Sequence, residues 1–241
     1  MADVLDPFGA AAELEGVPSA LAAARSGIDV LLRDRGLRRT TPALTAESLL
    51  RGAAASAALE GSGTNLDDLR SGRGDAIATA AARLNSGLLA LVPVIASAPL
   101  QALARMHALA AADTEVSENL GRPRLEAGFA ARLQLLSRQL VAPTRAPALS
   151  VASLAHAELA TLRPFGSRDG LVARAIERLI LVSRGVDPAS LIVPEAGHAA
   201  MGTAYHQALN AYGERSAQGR RRWLLYAAQA LGRASELSPL P

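Results

Sequence analysis

Leu21, Ile28, Leu31 and Leu32 fall at helical spacing in a segment that opens at Pro18. The same recurrence of apolar positions, mostly Leu and Ala, continues almost to the C-terminus. It predicts helices over about Pro18–Arg35, Pro42–Leu59, Asp75–Leu91, Pro99–Ala112, Leu125–Val141, Val151–Leu162, Asp169–Arg184, Ala196–Tyr212 and Gln218–Arg233. Gly36 and Gly61 stand where helices end, and the Gly-, Ser-, Asn- and Asp-rich stretch Gly61–Gly74 reads as a loop. Further breaks fall at the polar connection Asp113–Arg124, the linker Ala142–Ser150 with Pro143 and Pro147, the compact loop Arg163–Asp169, and the tail Ser238–Pro241. No internal repeat or change of composition divides the chain. The expectation is all-α, with residues 1–44 as an N-terminal helical extension, one helical domain over 45–235 and a Pro-rich tail over 236–241.

Composition sharpens this picture. Half of the 241 residues are hydrophobic but only 3% are aromatic, which favours close-packed helices over sheets. Every one of the 25 basic residues is Arg, so a formal charge of only +3 accompanies a pI near 10.1. A balance of 25 basic against 22 acidic groups argues against a general nucleic-acid binder. The absence of Cys removes disulfides and thiolate chemistry and suits a cytoplasmic location. The N-terminal MADVLDPFGA carries acids where a secretory signal needs a basic start, and Arg38-Arg39 have no apolar run behind them. The most apolar window, Ser86–Leu100, is short for a membrane span and contains Pro93 and Pro99, so it reads as a core helix and its exit.

One loop carries candidate chemistry. Residues 162–174 read Leu162-Arg163-Pro164-Phe165-Gly166-Ser167-Arg168-Asp169-Gly170-Leu171-Val172-Ala173-Arg174. This resembles the Fic motif, H-P-F-x-[D/E]-G-N-G-R-x-x-R, of the Fic (Fido) domain family, with Pro164, Phe165, Gly170 and Arg174 matching. His156 stands seven residues before Arg163 and resembles the His that precedes the motif in that family. Upstream, Ser56-Ala57-Ala58-Leu59-Glu60-Gly61 is similar to the family's inhibitory motif, [S/T]-x-x-x-E-[G/N]. The stretches around Tyr205-His206 and Trp223–Tyr226 are similar to the helices that close many Fic domains. The resemblance covers about residues 45–235 and implies a single Fic-like domain of about eight or nine helices. Its β-flap should lie between Arg124 and Ser150, where the sequence reads mostly as helix, so the flap is expected to be reduced or absent.

The resemblance also implies what the substitutions do. The motif His, which takes the target hydroxyl's proton, is replaced by Arg163, and a guanidinium cannot serve as general base. Ser167 stands where an acid holds magnesium, so magnesium binding should be weak or absent. Arg168 replaces a Gly of the anion-binding loop, Asp169 replaces an Asn and brings negative charge toward the phosphates, and Leu171 replaces a phosphate-binding Arg. No catalytic residue is intact. What survives is the helix start at Gly170, which with Arg163, Arg168 and Arg174 could hold an anion such as ATP or another nucleotide. The inhibitory-type residues Ser56, Glu60 and Gly61 imply an ion pair between Glu60 and Arg174.

Other features have plainer readings. Arg220-Arg221-Arg222 reads as a solvated helix face, with Trp223 in the core. Glu195, His198 and His206 suggest metal ligands by spacing, but no second such pair accompanies them, and no metal site is assigned. Asp67-Asp68 form a loop pair with no evident partner, and His107 reads as a packed core residue. The expected function is a degenerate Fic-fold protein binding a nucleotide, a phosphate-containing ligand or a protein partner, without membrane or nucleic-acid binding. The alternatives are a transferase of altered chemistry, with Asp169 or His156 as base, and a purely structural or interaction protein.

Overall fold

The computed structural model describes residues 6–33, 40–126 and 128–239. The helix end foreseen at Arg35 and Gly36, the Arg38-Arg39 pair, the first five residues and the last two lie outside them. Among the described residues the chain is helical without strands. Its α-helices are α1 (Pro7–Ala12), α2 (Val17–Leu31), α3 (Pro42–Leu59), α4 (Leu66–Arg70), α5 (Ala76–Leu88), α6 (Val92–Ser97) and α7 (Pro99–Ala111). They continue as α8 (Phe129–Val141), α9 (Ala148–Leu162), α10 (Asp169–Ser183), α11 (Pro194–Ala200), α12 (Thr203–Gly213) and α13 (Ala217–Glu236). Short polar side chains start several of them by accepting a backbone N–H that the helix leaves unpaired. Thr41 caps α3, Asn65 caps α4, Asp75 caps α5 and Ser216 caps α13. Asp6 caps α1 and also accepts from the Thr144 hydroxyl and the Arg145 N–H, tying the N-terminal helix to the linker before α9.

The antiparallel pair α9 and α10 forms the centre, and both are buried on nearly every face. Helix α3 packs on α5 and α11, while α13 packs on α2, α11 and α12. The described residues form thirteen α-helical segments, more than the eight or nine expected, because short elements escape a periodicity argument. The Gly61–Gly74 loop contains α4, whose first turn takes Asp67 and Asp68; these acids pair with Arg70 and Arg73 at 2.7 and 2.8 Å. Pro93 sits in the first turn of α6, where proline's missing N–H costs nothing, so it starts a helix where a break was expected. The stretch Ala76–Ser97 is long and apolar enough to cross a membrane by length and composition alone, and its α5 portion packs against α3 and α7. The helix expected from Leu125 begins at Phe129, after Gly128 at φ 101°. The helix expected over Ala196–Tyr212 is two, separated at Gly202, whose φ of 56° and ψ of −130° exclude a continuous helix.

Candidate functional site

Helix α9 ends at Arg163, whose left-handed φ of 50° turns the chain into the motif loop and leaves the residue exposed. The loop is held from inside. Phe165 is buried and stacks on His107, with ring centroids 4.3 Å apart and planes 7° from parallel. His107 accepts the Gly121 N–H on Nδ1 at 2.9 Å, so its Nε2 faces the Ser167 hydroxyl, 3.3 Å away, as donor. The same connection is fastened to the loop where the Arg124 N–H donates to the Pro164 carbonyl at 2.8 Å. His107 is thus a core residue, and it also anchors the loop.

Asp169 departs from expectation. Its two carboxylate oxygens accept the Phe165 and Gly166 N–H groups at 2.9 and 2.8 Å, closing the loop on itself. The side chain is buried and does not face outward toward a phosphate. Burial raises its pKa, opposed by those two hydrogen bonds and by the nearby Arg163 and Arg124. Arg168, left-handed at φ 54°, precedes α10, and its guanidinium turns toward Asp113 at 3.7 Å. The Nε atoms of Arg168 and Arg124 are buried without a hydrogen-bond partner. Leu171, in place of a phosphate-binding arginine, is core. The Ser167 hydroxyl is turned to His107, and each Asp169 oxygen accepts one backbone N–H.

Arg174 is buried to 1% exposure, and all three of its nitrogens are engaged. Nε donates to the Ser56 hydroxyl at 2.8 Å, one terminal nitrogen to the Ser56 carbonyl at 3.0 Å and Glu60 at 2.7 Å, and the other to the Tyr205 hydroxyl at 3.2 Å. The ion pair implied between Glu60 and Arg174 is therefore formed. Glu60 ends α3, Gly61 follows at φ 88°, and the carboxylate lies directly on the first turn of α10. A Cβ at Gly170 would stand 1.9 Å from Glu60 Oε1. Glu60 thus fills the helix start where an anion would sit, and Arg174 is withdrawn from Arg163, which is exposed to solvent. Of the residues expected to share one anion, Arg163 is exposed, Arg168 turns toward Asp113, and Arg174 is buried against Ser56, Glu60 and Tyr205.

Beneath Arg174 the polar chain continues. Tyr205 contacts His156 Nε2 at 2.9 Å, His156 Nδ1 contacts Glu177 at 2.8 Å, and Glu177 contacts His198 Nε2 at 2.7 Å. His198 Nδ1 reaches the Tyr226 hydroxyl at 2.9 Å, Ser153 donates to the other Glu177 oxygen at 3.0 Å, and Trp223 donates to the Ser153 carbonyl at 2.8 Å. Burial holds the His156 pKa down at about 4, against the raising influence of Glu177. The metal-like spacing of Glu195, His198 and His206 is not realised, since Glu195 pairs with Arg178 at 2.6 Å, His198 faces Glu177 and His206 is exposed. Sequence reading missed Glu177, Arg178 and Ser153. The signal lay in Arg174, Glu177 and Arg178, three charges at helical spacing within an otherwise apolar helix, which must be paired if that face is buried.

This all-helical fold, with two buried central helices joined by the motif loop, is the one seen in Fic family proteins of known structure. Solved structures resemble this chain, among them the following three. A Fic family protein from Desulfovibrio desulfuricans G20 is 18% identical with a TM-score of 0.72, covering 90% of this chain and 73% of its own. Fic-1 from C. elegans is 15% identical with a TM-score of 0.66 over 91% of this chain and 70% of its own. A Glu-to-Gly variant of Fic-1 is also 15% identical, with a TM-score of 0.67 over 91% and 71%. No family model matches the sequence, and no curated protein matches it.

Proposed function

We propose that this Fic-fold chain binds a nucleotide or related phosphate-containing ligand at the motif loop without transferring AMP. The observation that carries this reading is the lack of a base where proton abstraction would occur. Arg163 offers a guanidinium, which has no acceptor lone pair for a proton, both oxygens of Asp169 accept backbone N–H groups, and His156 is fully buried with both ring nitrogens engaged. A ligand at the start of α10 must first displace the Glu60 carboxylate, and the exposed Arg163 offers its first contact. Binding without magnesium is expected, because Ser167 stands in place of the acid that would hold that ion. The cysteine-free composition suits a cytoplasmic setting.

The test incubates purified protein with α-labelled ATP and magnesium, alone and with cell extract, and follows label on protein. No transfer is expected from the wild type or from Glu60→Gly. In parallel, ATP, ADP and pyrophosphate should raise the melting temperature of Glu60→Gly, because a ligand bound only by the folded state stabilises it. Label on a protein hydroxyl would overturn the loss of transfer, and an unmoved melting temperature in both proteins would overturn ligand binding.

A further inference from the structure

Glu177 lies at the middle of α10 with no exposed surface, and its hydrogen-bond partners are two imidazoles and one hydroxyl. The guanidiniums nearest in sequence are committed elsewhere, Arg174 to Glu60 and Arg178 to Glu195. A carboxylate taken this far from water calls for a counter-charge. Its imidazole neighbours come from α9 and α11, so three separate helices deliver nitrogen, oxygen and nitrogen to one point. The three donor atoms lie within 4.8 Å of one another, and all three residues are buried. The outward nitrogen of each ring is held by a tyrosine hydroxyl, Tyr205 for His156 and Tyr226 for His198.

We propose that His156, Glu177 and His198 form a buried structural site for a divalent transition metal of zinc type, bound through His156 Nδ1, His198 Nε2 and a Glu177 oxygen. Two histidines and a carboxylate supply three of zinc's four positions, with a water as the fourth, and divalent first-row metals with a taste for imidazole share this set. The present 2.7 and 2.8 Å separations are hydrogen bonds in which each ring donates to Glu177. Zinc at about 2.0–2.1 Å from each donor needs them about 3.3 Å apart in a tetrahedral arrangement. Binding therefore moves each imidazole roughly half an ångström off the oxygen and shifts the ring proton of a neutral imidazole to its outer nitrogen. The Tyr205 and Tyr226 oxygens then accept hydrogen bonds from these outer N–H groups, the orienting role that outer partners of metal-bound histidines usually fill. With no exposed surface at any of the three residues, the ion would hold α9, α10 and α11 together without meeting a substrate.

The experiment uses the full chain without a histidine tag. Metal per chain is measured by mass spectrometry as purified, and again after chelation and dialysis against zinc or cobalt. About one tightly held ion per chain is expected, with a tetrahedral cobalt absorption spectrum and a melting temperature raised by roughly 5 °C or more. His198→Gln, which can still hydrogen-bond, should lose the ion and the spectrum. If that variant does not fold, X-ray absorption on the zinc-loaded wild type should show two imidazoles in the first shell. Less than about a tenth of an ion per chain after loading, equal uptake by folded His198→Gln, or an all-oxygen shell would overturn the proposal, leaving a proton as the counter-charge of Glu177. None of these readings involves nucleotide, so they stand apart from the ligand-binding test.

Discussion

The contact between Glu60 and Gly170 can be weighed by a double-mutant cycle. Breaking a fully enclosed ion pair from one side costs about 3–5 kcal/mol, mostly from the charge left behind. Two features reduce that figure here. The Glu60 side chain keeps 33% of its surface in water, and Arg174 retains Ser56 and Tyr205 as acceptors when Glu60 is gone. Glu60→Gly should therefore cost about 1–2 kcal/mol. Gly170→Ala attacks the same contact from the other side, because its methyl group would occupy the place of Glu60 Oε1. The displaced carboxylate loses Arg174, so this substitution too should cost about 1–2 kcal/mol. With Glu60 already removed, however, the alanine meets little beyond the end of Arg174, and its helix propensity is better than that of glycine.

The two changes together should thus cost no more than Glu60→Gly alone, a coupling of about 1–2 kcal/mol. Urea denaturation of the four proteins, followed by helical circular dichroism at neutral pH, measures it. Additive losses would refute the claim that one carboxylate and one missing Cβ share the same space. The cycle has a functional reading as well. A polyphosphate that takes the place of Glu60 should stabilise the glycine variant more than the wild type, since in the wild type it must first displace the carboxylate.

Other expectations follow from the core. Gly52→Ala would push a methyl group to 2.6 Å from an Arg178 terminal nitrogen and 2.8 Å from Glu195 Oε2, within a pair that Ser48, Ser190 and the Ile192 carbonyl hold in place. A loss of about 2–4 kcal/mol in urea denaturation is expected, and a loss under 0.5 kcal/mol would show that the pair yields freely. Arg178→Met should cost about 3–5 kcal/mol and Arg178→Met with Glu195→Met much less than the two single losses combined, read from the same curves. In chelator, stability should fall between pH 7.5 and 4.5: the unfolded His156 takes up a proton near 6.5 while the folded one waits until about 4, a loss of about 2–3 kcal/mol that folded His156→Gln should lack. Glu177 adds to this below about pH 4.5; burial alone would raise its pKa, but His198 and His156 outweigh that and hold it below the usual range, so its stabilisation fades as acid neutralises it. Arg163→His should still fail to label protein with AMP, because Leu171, Arg168 and Asp169 remain unsuited to phosphate; transfer by this variant would show that the base alone was missing.

The long helices were legible because their apolar faces repeat at the helical period, and the loop between α9 and α10 because Pro164, Phe165 and Gly170 punctuate it. The short helices α1, α4 and α6 escaped, since five or six residues are too few for a period to show. The direction of Asp169 was misread for a different reason. Alignment gives a residue's place along the chain but not which groups its side chain can reach, and the Phe165 and Gly166 N–H groups lie within reach.

The same distinction bears on what holds this fold together. Its aromatic content is low, yet α10 buries Arg174, Glu177 and Arg178 beside one another, answered from three other helices: the end of α3 through Glu60 and Ser56, α9 through His156, and α11 through His198 and Glu195. A core of Ala and Leu offers many near-equivalent ways to slide one helix past another, because small aliphatic side chains fit in several registers. A buried ionic contact does not, since a shift of one helical turn would strand a charge without its partner. The polar seam along α10 therefore fixes the helix in one register and with it the height of Gly170 against Glu60. The motif loop thus presents a surface whose geometry is decided inside the protein, by residues outside the loop.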